Sequence, residues 1–303
     1  MTTGAVSTGV ASLTGWGADD HGAALAAFLV TADLLPPGWP CRAPSESARS
    51  FFERAFVART IPEDALLTGY YEPELEGSAV ATARFAHPLY AMPADLVTGQ
   101  IWYDRAEIET ANHLAGRELV WLDSALEAFL AQVQGSVRVR LTDGRAVRFG
   151  FAGKNGHPYS SIGKELIRRG ELSEENASVA AIRDWAARHP GLVTDLLRVN
   201  RSFVFFRQLD LPAGSGPLGT MQRPVTELRS LAVDPDHIPL GAPVWVEWRG
   251  QARLMVAQDT GSAIKGPARG DIFFGTGPAA GDRAGALNAI GRLTVLLPKG
   301  GLP

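Results

Sequence analysis

Asp234, Asp259 and Asp271 stand in the C-terminal part of a 303-residue chain, each opening or closing a strand-like run beside glycine or proline. Aspartates placed this way suit two kinds of chemistry. An acid protease needs two facing carboxylates that share a proton, because carboxylates in contact cannot both ionise. Asp259-Thr260-Gly261-Ser262 spells the D-T-G-S of pepsin-type proteases. The chain has only one such turn, and too few residues separate it from the apolar-glycine run "NAIGR" at Asn288–Arg292 to fit a flap and its strands. Glycoside chemistry needs a carboxylic acid that stays protonated long enough to donate to the glycosidic oxygen. A third role is also open to each aspartate, since Asp before Pro or Gly commonly just makes a turn.

The elements that must position these residues are short and evenly spaced. "SLAVD", "APVWVEW", "ARLMVAQD", "DIFFG" and "RLTVLLP" follow one another with turn signals between them, the pattern of a small barrel whose strand ends could bring aspartates together. A Gly/Pro-rich joint, "LPAGSGPLG", precedes them. Further upstream, "HGAALAAFLVTADLL" and "ESARSFFERAFVART" carry helical apolar spacing, and "ALLTGYYEPELEGS" reads as a strand. "VWLDSALEAFLAQVQGS" reads as one helix with a capping box of Ser124 and Glu127, an apolar stripe of Leu122, Leu126, Phe129, Leu130 and Val133, and a stop at Gly135. In "SVRVRLTDGRAVRFGFAG" a three-residue loop of Thr142, Asp143 and Gly144 pairs Val139 with Val147 and Val137 with Phe149, with Gly144 left-handed. "ENASVAAIRDWAARHPGLVTDLLRVN" reads as a helix pair broken near Pro190.

Composition narrows the field. A net charge of −3 and no basic run give no sign of nucleic-acid binding. Cys41 is the single cysteine, so no internal disulfide can form. The six histidines are scattered without metal-ligand spacing, so no metal site is expected. The run "MTTGAVSTGVASLTGW" has neither a basic nor an apolar region of the signal-peptide kind, and "AALAAFLV" is too short to span a bilayer.

The pattern "SLAVDPDHIPLGAPVWVE … LMVAQDTGSAIKGPARGDIFFGTGP" resembles the three-aspartate (3D) domain, a double-psi β-barrel of bacterial cell-wall enzymes. Together with "LLTGYYEPELEGS", "HPLYAMPADLV", "AQVQGSVRVRL", "FAGKNGHPYSSIGKELIRRGEL" and "NRSFVFFR", it resembles the membrane-bound lytic murein transglycosylase A family from about Leu67 to Pro298. The resemblance implies a mainly β protein with flanking helices. Its double-psi barrel would comprise residues 1–74 and 206–303, with a second β-rich domain, 75–205, inserted and forming the other wall of a glycan groove. It further implies cleavage of the β-1,4 bond between N-acetylmuramic acid and N-acetylglucosamine in peptidoglycan, leaving 1,6-anhydromuramoyl ends, without a cofactor. A glycan-binding barrel without catalysis and an aspartic protease are the rival readings.

By that resemblance the catalytic aspartate maps to Asp271, in a "KGPARGDIF" run one residue longer than in some relatives. A single carboxyl suffices, as acid to the leaving oxygen and then base to the C6 hydroxyl, whose tethering gives it a high effective concentration. Asp259, if close, would raise the pKa of Asp271 by like-charge repulsion. Thr68, Gly69, Tyr70, Tyr71, Gln134, Gly135, Ser136, Lys154, Asn155, Gly156, Asp234 and Lys265 are the expected substrate-binding residues. Trp102, Trp121, Trp185, Trp245 and Trp248 are candidates for sugar stacking, although core positions account for most tryptophans. The resemblance places the protein in the periplasm or at the outer-membrane face, with a peptidoglycan strand and cell-wall synthesis proteins as candidate partners and a monomer as the expected state.

Overall fold

The computed structural model describes residues 7–41, 45–212 and 214–300. The first six residues of the opening run and Ala213 of the joint lie outside the described residues. The chain divides into two compact units, one made of Met1–Tyr71 with Ala213–Pro303 and the other of Glu72–Pro212. Boundaries were expected at residues 74/75 and 205/206. The division falls instead at 71/72, beside the residue that ends the strand Ala65–Glu72, and at 212/213, beyond the last strand of the second unit, which continues to Leu209.

The N-terminal part of the first unit runs β1 (Ser7–Thr8), α1 (His21–Leu29), α2 (Ala48–Ala55), β2 (Phe56–Thr60) and β3 (Ala65–Glu72). Asp20 caps α1 by accepting from the Ala23 amide, and Ser47 caps α2 by accepting from the Ser50 amide. The helical pattern of "ESARSFFERAFVART" holds only to Ala55. From Phe56 the backbone is extended, because β2 pairs with the final strand of the chain (Val57↔Leu297, Arg59↔Val295). Tertiary pairing overrides local propensity there.

The second unit contains β4 (Glu74–Ser78), β5 (His87–Tyr90), α3 (Arg105–Thr110), β6 (Glu118–Leu122), α4 (Ala125–Gln134), β7 (Ser136–Leu141), β8 (Ala146–Lys154), α5 (Ile162–Arg168), α6 (Val179–Arg188), α7 (Val193–Arg198) and β9 (Val204–Leu209). Its six strands form one sheet in the order β5-β6-β4-β7-β8-β9, and a bridge between Ala91 and Phe206 links its two ends. The hairpin register is as expected, Val137↔Phe149 and Val139↔Val147, with Gly144 at φ 85°. The single helix expected from "VWLDSALEAFLAQVQGS" is instead a strand followed by a helix, since Val120 to Leu122 belong to β6. Ser124 caps α4 through the Glu127 amide at 3.3 Å, while the Glu127 carboxylate takes a two-pronged ion pair from Arg183 at 2.6 and 2.9 Å. Ala128 and Ala131 of α4 pack on the sheet, and Leu126, Phe129 and Leu130 pack on α5, α6 and α7. Val133, assigned to the buried stripe, is exposed.

The chain then completes the first unit with β10 (Ser230–Ala232), β11 (Pro243–Trp248), β12 (Gln251–Asp259), β13 (Arg269–Thr276), α8 (Pro278–Gly285) and β14 (Asn288–Pro298). Strands β14-β11-β12-β10-β13-β3 close on themselves through the β14–β3 pairing, so this unit holds a closed six-stranded barrel. The β10–β12 pairing is parallel and the β10–β13, β11–β12, β11–β14 and β14–β3 pairings are antiparallel. Inside and around the barrel, Leu67, Leu231, Val244, Trp245, Val256, Ile272 and Leu293 are wholly buried. Phe28, Phe52 and Phe56 meet at 5.8–6.1 Å between ring centroids, joining both helices to the base of β2. Buried apolar area of this kind supplies most of the favourable free energy of a domain.

Candidate functional site

Both aspartates owe their positions to one residue between them. Ala232 on β10 is the register partner of Asp259 on β12 and also of Asp271 on β13. With neighbouring strands about 4.8 Å apart, the two backbones are separated by roughly two strand spacings. β3 lies on the other side of β13 and supplies alternate residues from one face: Thr68 and Tyr70. The Thr68 hydroxyl donates to Asp271 Oδ1 at 2.5 Å, and the Tyr70 hydroxyl donates to Asp259 Oδ2 at 2.9 Å. Gly69, between them, faces the opposite way, where a Cβ would come within 2.7 Å of the Ala284 backbone and the Phe274 ring. No other residue fits that position without displacing α8.

The two carboxyls are alike in type and unlike in surroundings. Asp259 accepts four hydrogen bonds: the Tyr70 hydroxyl on one oxygen, and the Thr220 amide, the Thr220 hydroxyl and the Thr260 amide at 2.9–3.0 Å on the other. Asp271 accepts from Thr68 alone among the described side chains, and that leaves Oδ2 to the site. Burial raises both, but the donors around Asp259 oppose the rise. Asp271 is pushed from 3.8 to about 6, chiefly by desolvation and further by the Asp259 charge, against the opposing pull of Thr68 and Arg269. Tyr70 is driven well above its ordinary value by burial and by both carboxylates, so it stays a neutral donor. The arrangement therefore gives the two carboxyls different surroundings: Asp259 has four donors that favour its charged form, and Asp271 has one, with its titration raised to about 6.

Asp234 has other hydrogen-bond partners than this pair. It accepts from the Gly266 amide at 2.8 Å, the Asp236 amide at 3.4 Å and Lys265 Nζ at 3.4 Å, and its pKa is lowered, first of all by the Gly266 contact. Its side chain ties down the turn that leads into β13, and Lys265 is engaged there. Tyr71 packs against Gly281 of α8, whose added Cβ would meet the ring at 2.8 Å.

The expected substrate residues of the second unit are placed differently. Gln134 ends α4 and is half-buried, Gly135 is its left-handed cap at φ 75°, and Lys154 is exposed at the end of β8. Ser136 is buried within β7 opposite Gly150. Asn155 corrects the expectation: it is fully buried, its Nδ2 donates to the Tyr103 and Arg201 carbonyls at 2.9 and 2.8 Å, and its Oδ1 accepts from the Phe203 amide at 2.8 Å. With both Nδ2 protons and one Oδ1 lone pair given to backbone groups, and the side chain fully buried, it braces the loops. Gly156, at φ 80°, comes so close to the Gln100 carbonyl that a side chain is excluded. Trp185, Trp245 and Trp248 are core residues, and no sugar can reach their faces.

Two residues of the site escaped the sequence reading. Arg269 sits two positions before Asp271, hence on the same strand face, and donates from Nη2 to the Thr68 hydroxyl at 2.8 Å. Its position was a usable signal. Thr220 had none, since it is 39 residues from the aspartate it serves and lies in the Gly/Pro-rich approach to β10. Among the described residues no group of three or more His, Cys, Asp and Glu side chains is placed to hold a metal ion.

Comparison with known proteins places this geometry. Residues 66–207 match the family profile of the MltA specific insert domain, and residues 229–297 match that of the 3D domain. The chain is 40% identical over 243 residues to membrane-bound lytic murein transglycosylase A of Escherichia coli (strain K12), a match covering 76% of this chain and 64% of that protein. It therefore spans just under two thirds of the length of that curated relative. A solved membrane-bound lytic murein transglycosylase from Agrobacterium tumefaciens superposes with a TM-score of 0.86 at 31% identity, covering 97% of each chain. E. coli MltA solved with bound chitohexaose gives a TM-score of 0.79 at 31% identity, covering 97% of this chain and 92% of that one. With two family profiles in register, and a relative matched over almost its whole length, the chain belongs to the membrane-bound lytic murein transglycosylase A family.

Proposed function

We propose that this protein is a lytic transglycosylase that cleaves the β-1,4 bond between N-acetylmuramic acid and N-acetylglucosamine in peptidoglycan, with Asp271 as its acid and then its base. The observation that carries this reading is the asymmetric pair. One carboxyl is saturated with donors, and the other, at about 6, has a single donor and one oxygen left over. Protonated Asp271 gives its proton to the leaving 4-oxygen as positive charge grows at C1. The carboxylate then removes the proton from the C6 hydroxyl as that oxygen closes on C1, so the 1,6-anhydro ring forms and Asp271 ends protonated as it began. A pKa near the working pH suits a group that must both give and take. The donors around Asp259 favour its charged form, and a negative charge there favours the developing cation. Chitohexaose bound to the E. coli relative supports a β-1,4-linked N-acetylated glycan as the ligand class.

The closed barrel of the first unit is, in this reading, a double-psi barrel, supported by its parallel β10–β12 pairing and by the 3D profile over residues 229–297. The family name supports action at the outer membrane or in the periplasm. No helix among the described residues is long and apolar enough to cross a membrane. A monomer recruited by cell-wall synthesis proteins completes the proposal.

Purified murein digested with the protein tests it. Mass spectrometry is expected to show anhydro-muropeptides, lighter by one water than hydrolysed products. Reducing ends alone would make it a hydrolase, and glycan binding without release would make it a binding protein.

A further inference from the structure

The Thr68 hydroxyl has one proton to give and lone pairs to receive. Arg269 donates into it from Nη2 at 2.8 Å, and a guanidinium can only donate, so Thr68 Oγ1 is the acceptor in that contact. The hydroxyl proton is therefore committed to its other neighbour, Asp271 Oδ1. Arg269 is itself fixed: Nη1 donates to the Gly270 carbonyl at 2.6 Å and to the Leu66 carbonyl at 3.3 Å. Gly270 precedes Asp271 and Leu66 lies two residues before Thr68, so one planar side chain clamps both strands that carry the relay.

We propose that Arg269 is a positioning residue which, through Thr68, decides which oxygen of Asp271 carries the transferable proton. A carboxyl can hold its proton on either oxygen. With Oδ1 receiving the Thr68 proton, the acid form places its own proton on Oδ2, the oxygen left to the site. Without Arg269 the Thr68 hydroxyl is free to turn and accept instead, and the acid form is then split between a productive and an unproductive arrangement. The inference rests on the reading of Asp271 as the acid and base. Arg269 touches neither the glycan nor the reacting atoms in this scheme.

The charged and titratable groups facing Asp271 are Arg269 on its own strand, Asp259 on β12 and Tyr70 on β3. Arg269 therefore acts in two separable ways, as a nearby positive charge and as the donor that orients Thr68. A double-mutant cycle on purified murein separates them, with kcat read on its low-pH plateau and across pH. Arg269→Met is expected to lower plateau kcat about tenfold or more with KM and chitohexaose affinity nearly unchanged. It should also move the high-pH limb of kcat upward, since a cation that favours the Asp271 anion is gone. Thr68→Val should cost a similar factor, and Thr68→Ser should restore most of it. In the Thr68→Val background, Arg269→Met should leave plateau kcat unchanged within about twofold, because there is no hydroxyl left to orient.

Multiplying losses in the double variant, or a normal plateau in Arg269→Met, would overturn the proposal. So would a loss confined to KM. If circular dichroism shows Arg269→Met to be unfolded at the assay temperature, Arg269→Gln replaces it in the same cycle, keeping one amide donor for the Leu66 and Gly270 carbonyls. The wild-type products separate this test from the broader one. Failure to form anhydro ends defeats the transglycosylase reading, whereas anhydro ends with an additive cycle defeat only the role of Arg269.

Discussion

The two aspartates flanking Ala232 differ by what donates to them, and substitution should expose that difference. Asp271→Asn keeps the shape and can still accept from Thr68, but it can neither give nor take the proton, so activity should fall by about 10²–10⁴. The same change should stabilise the fold at neutral pH. Because the folded-state value is raised from 3.8 to about 6, the stability this group contributes is complete below pH 3.8 and is lost as pH rises through about 6. Removing the titration should return up to about 3 kcal/mol above that window, visible as a higher melting temperature at pH 7.5 and no gain at pH 3.5. Asp259→Asn removes the charge that helps raise Asp271, so the high-pH limb of kcat should move to lower pH. Its rate loss should be smaller, because an amide can still accept from the Thr220 and Thr260 amides. A pH–rate series on both variants checks the pair, and near-normal turnover in Asp271→Asn would assign the acid elsewhere.

Elements were legible where one kind of contact decided them. The hairpin at Gly144 was readable because apolar pairing and turn chemistry agreed on one register. The five barrel runs were readable because each is a short β-prone stretch between turn signals. Phe56–Thr60 was not, because its helical spacing is local and its pairing with β14 is remote in sequence. Asn155 was misread for a related reason: an Asn-Gly pair looks like an exposed turn, and only the fold shows three backbone groups converging on it. Thr68 and Tyr70 were legible as a segment, but their division of labour depends on β3 lying beside β13. The element-scale prediction concerns Gly69. Alanine there meets α8 and Phe274 at 2.7 Å, so Gly69→Ala should lower stability by about 1–3 kcal/mol and reduce activity by shifting Thr68 and Tyr70 together. Gly144→Ala, strained at φ 85° but with nothing within 4 Å, should cost about 1 kcal/mol and leave activity intact. Thermal melts beside murein assays distinguish the two.

At the scale of the whole molecule, the first unit is assembled from the two ends of the chain, with 141 residues, Glu72–Pro212, intervening. One buried pair fastens those ends. Arg229 Nη1 donates to Asp19 Oδ2 at 2.8 Å, and the Leu254 amide donates to the same oxygen at 3.0 Å. Arg229→Met would leave Asp19 buried without its cation, so a loss of about 3–5 kcal/mol in melting experiments is expected. The same discontinuity sets an order of events during synthesis. Domains fold as units as the chain emerges, so Glu72–Pro212 can settle while β3 still waits for β13 and β14. Thr68 and Asp271 are 203 residues apart, and Asn288 is the β14 residue that registers with Thr68. A ribosome-bound or truncated chain ending at Pro278 thus contains every residue of the relay and still lacks the seam that holds β3 in place. Such a chain should release no muropeptides. In the proposed reading the site is complete only once β14 has paired with β3, a dependence that needs no inhibitor.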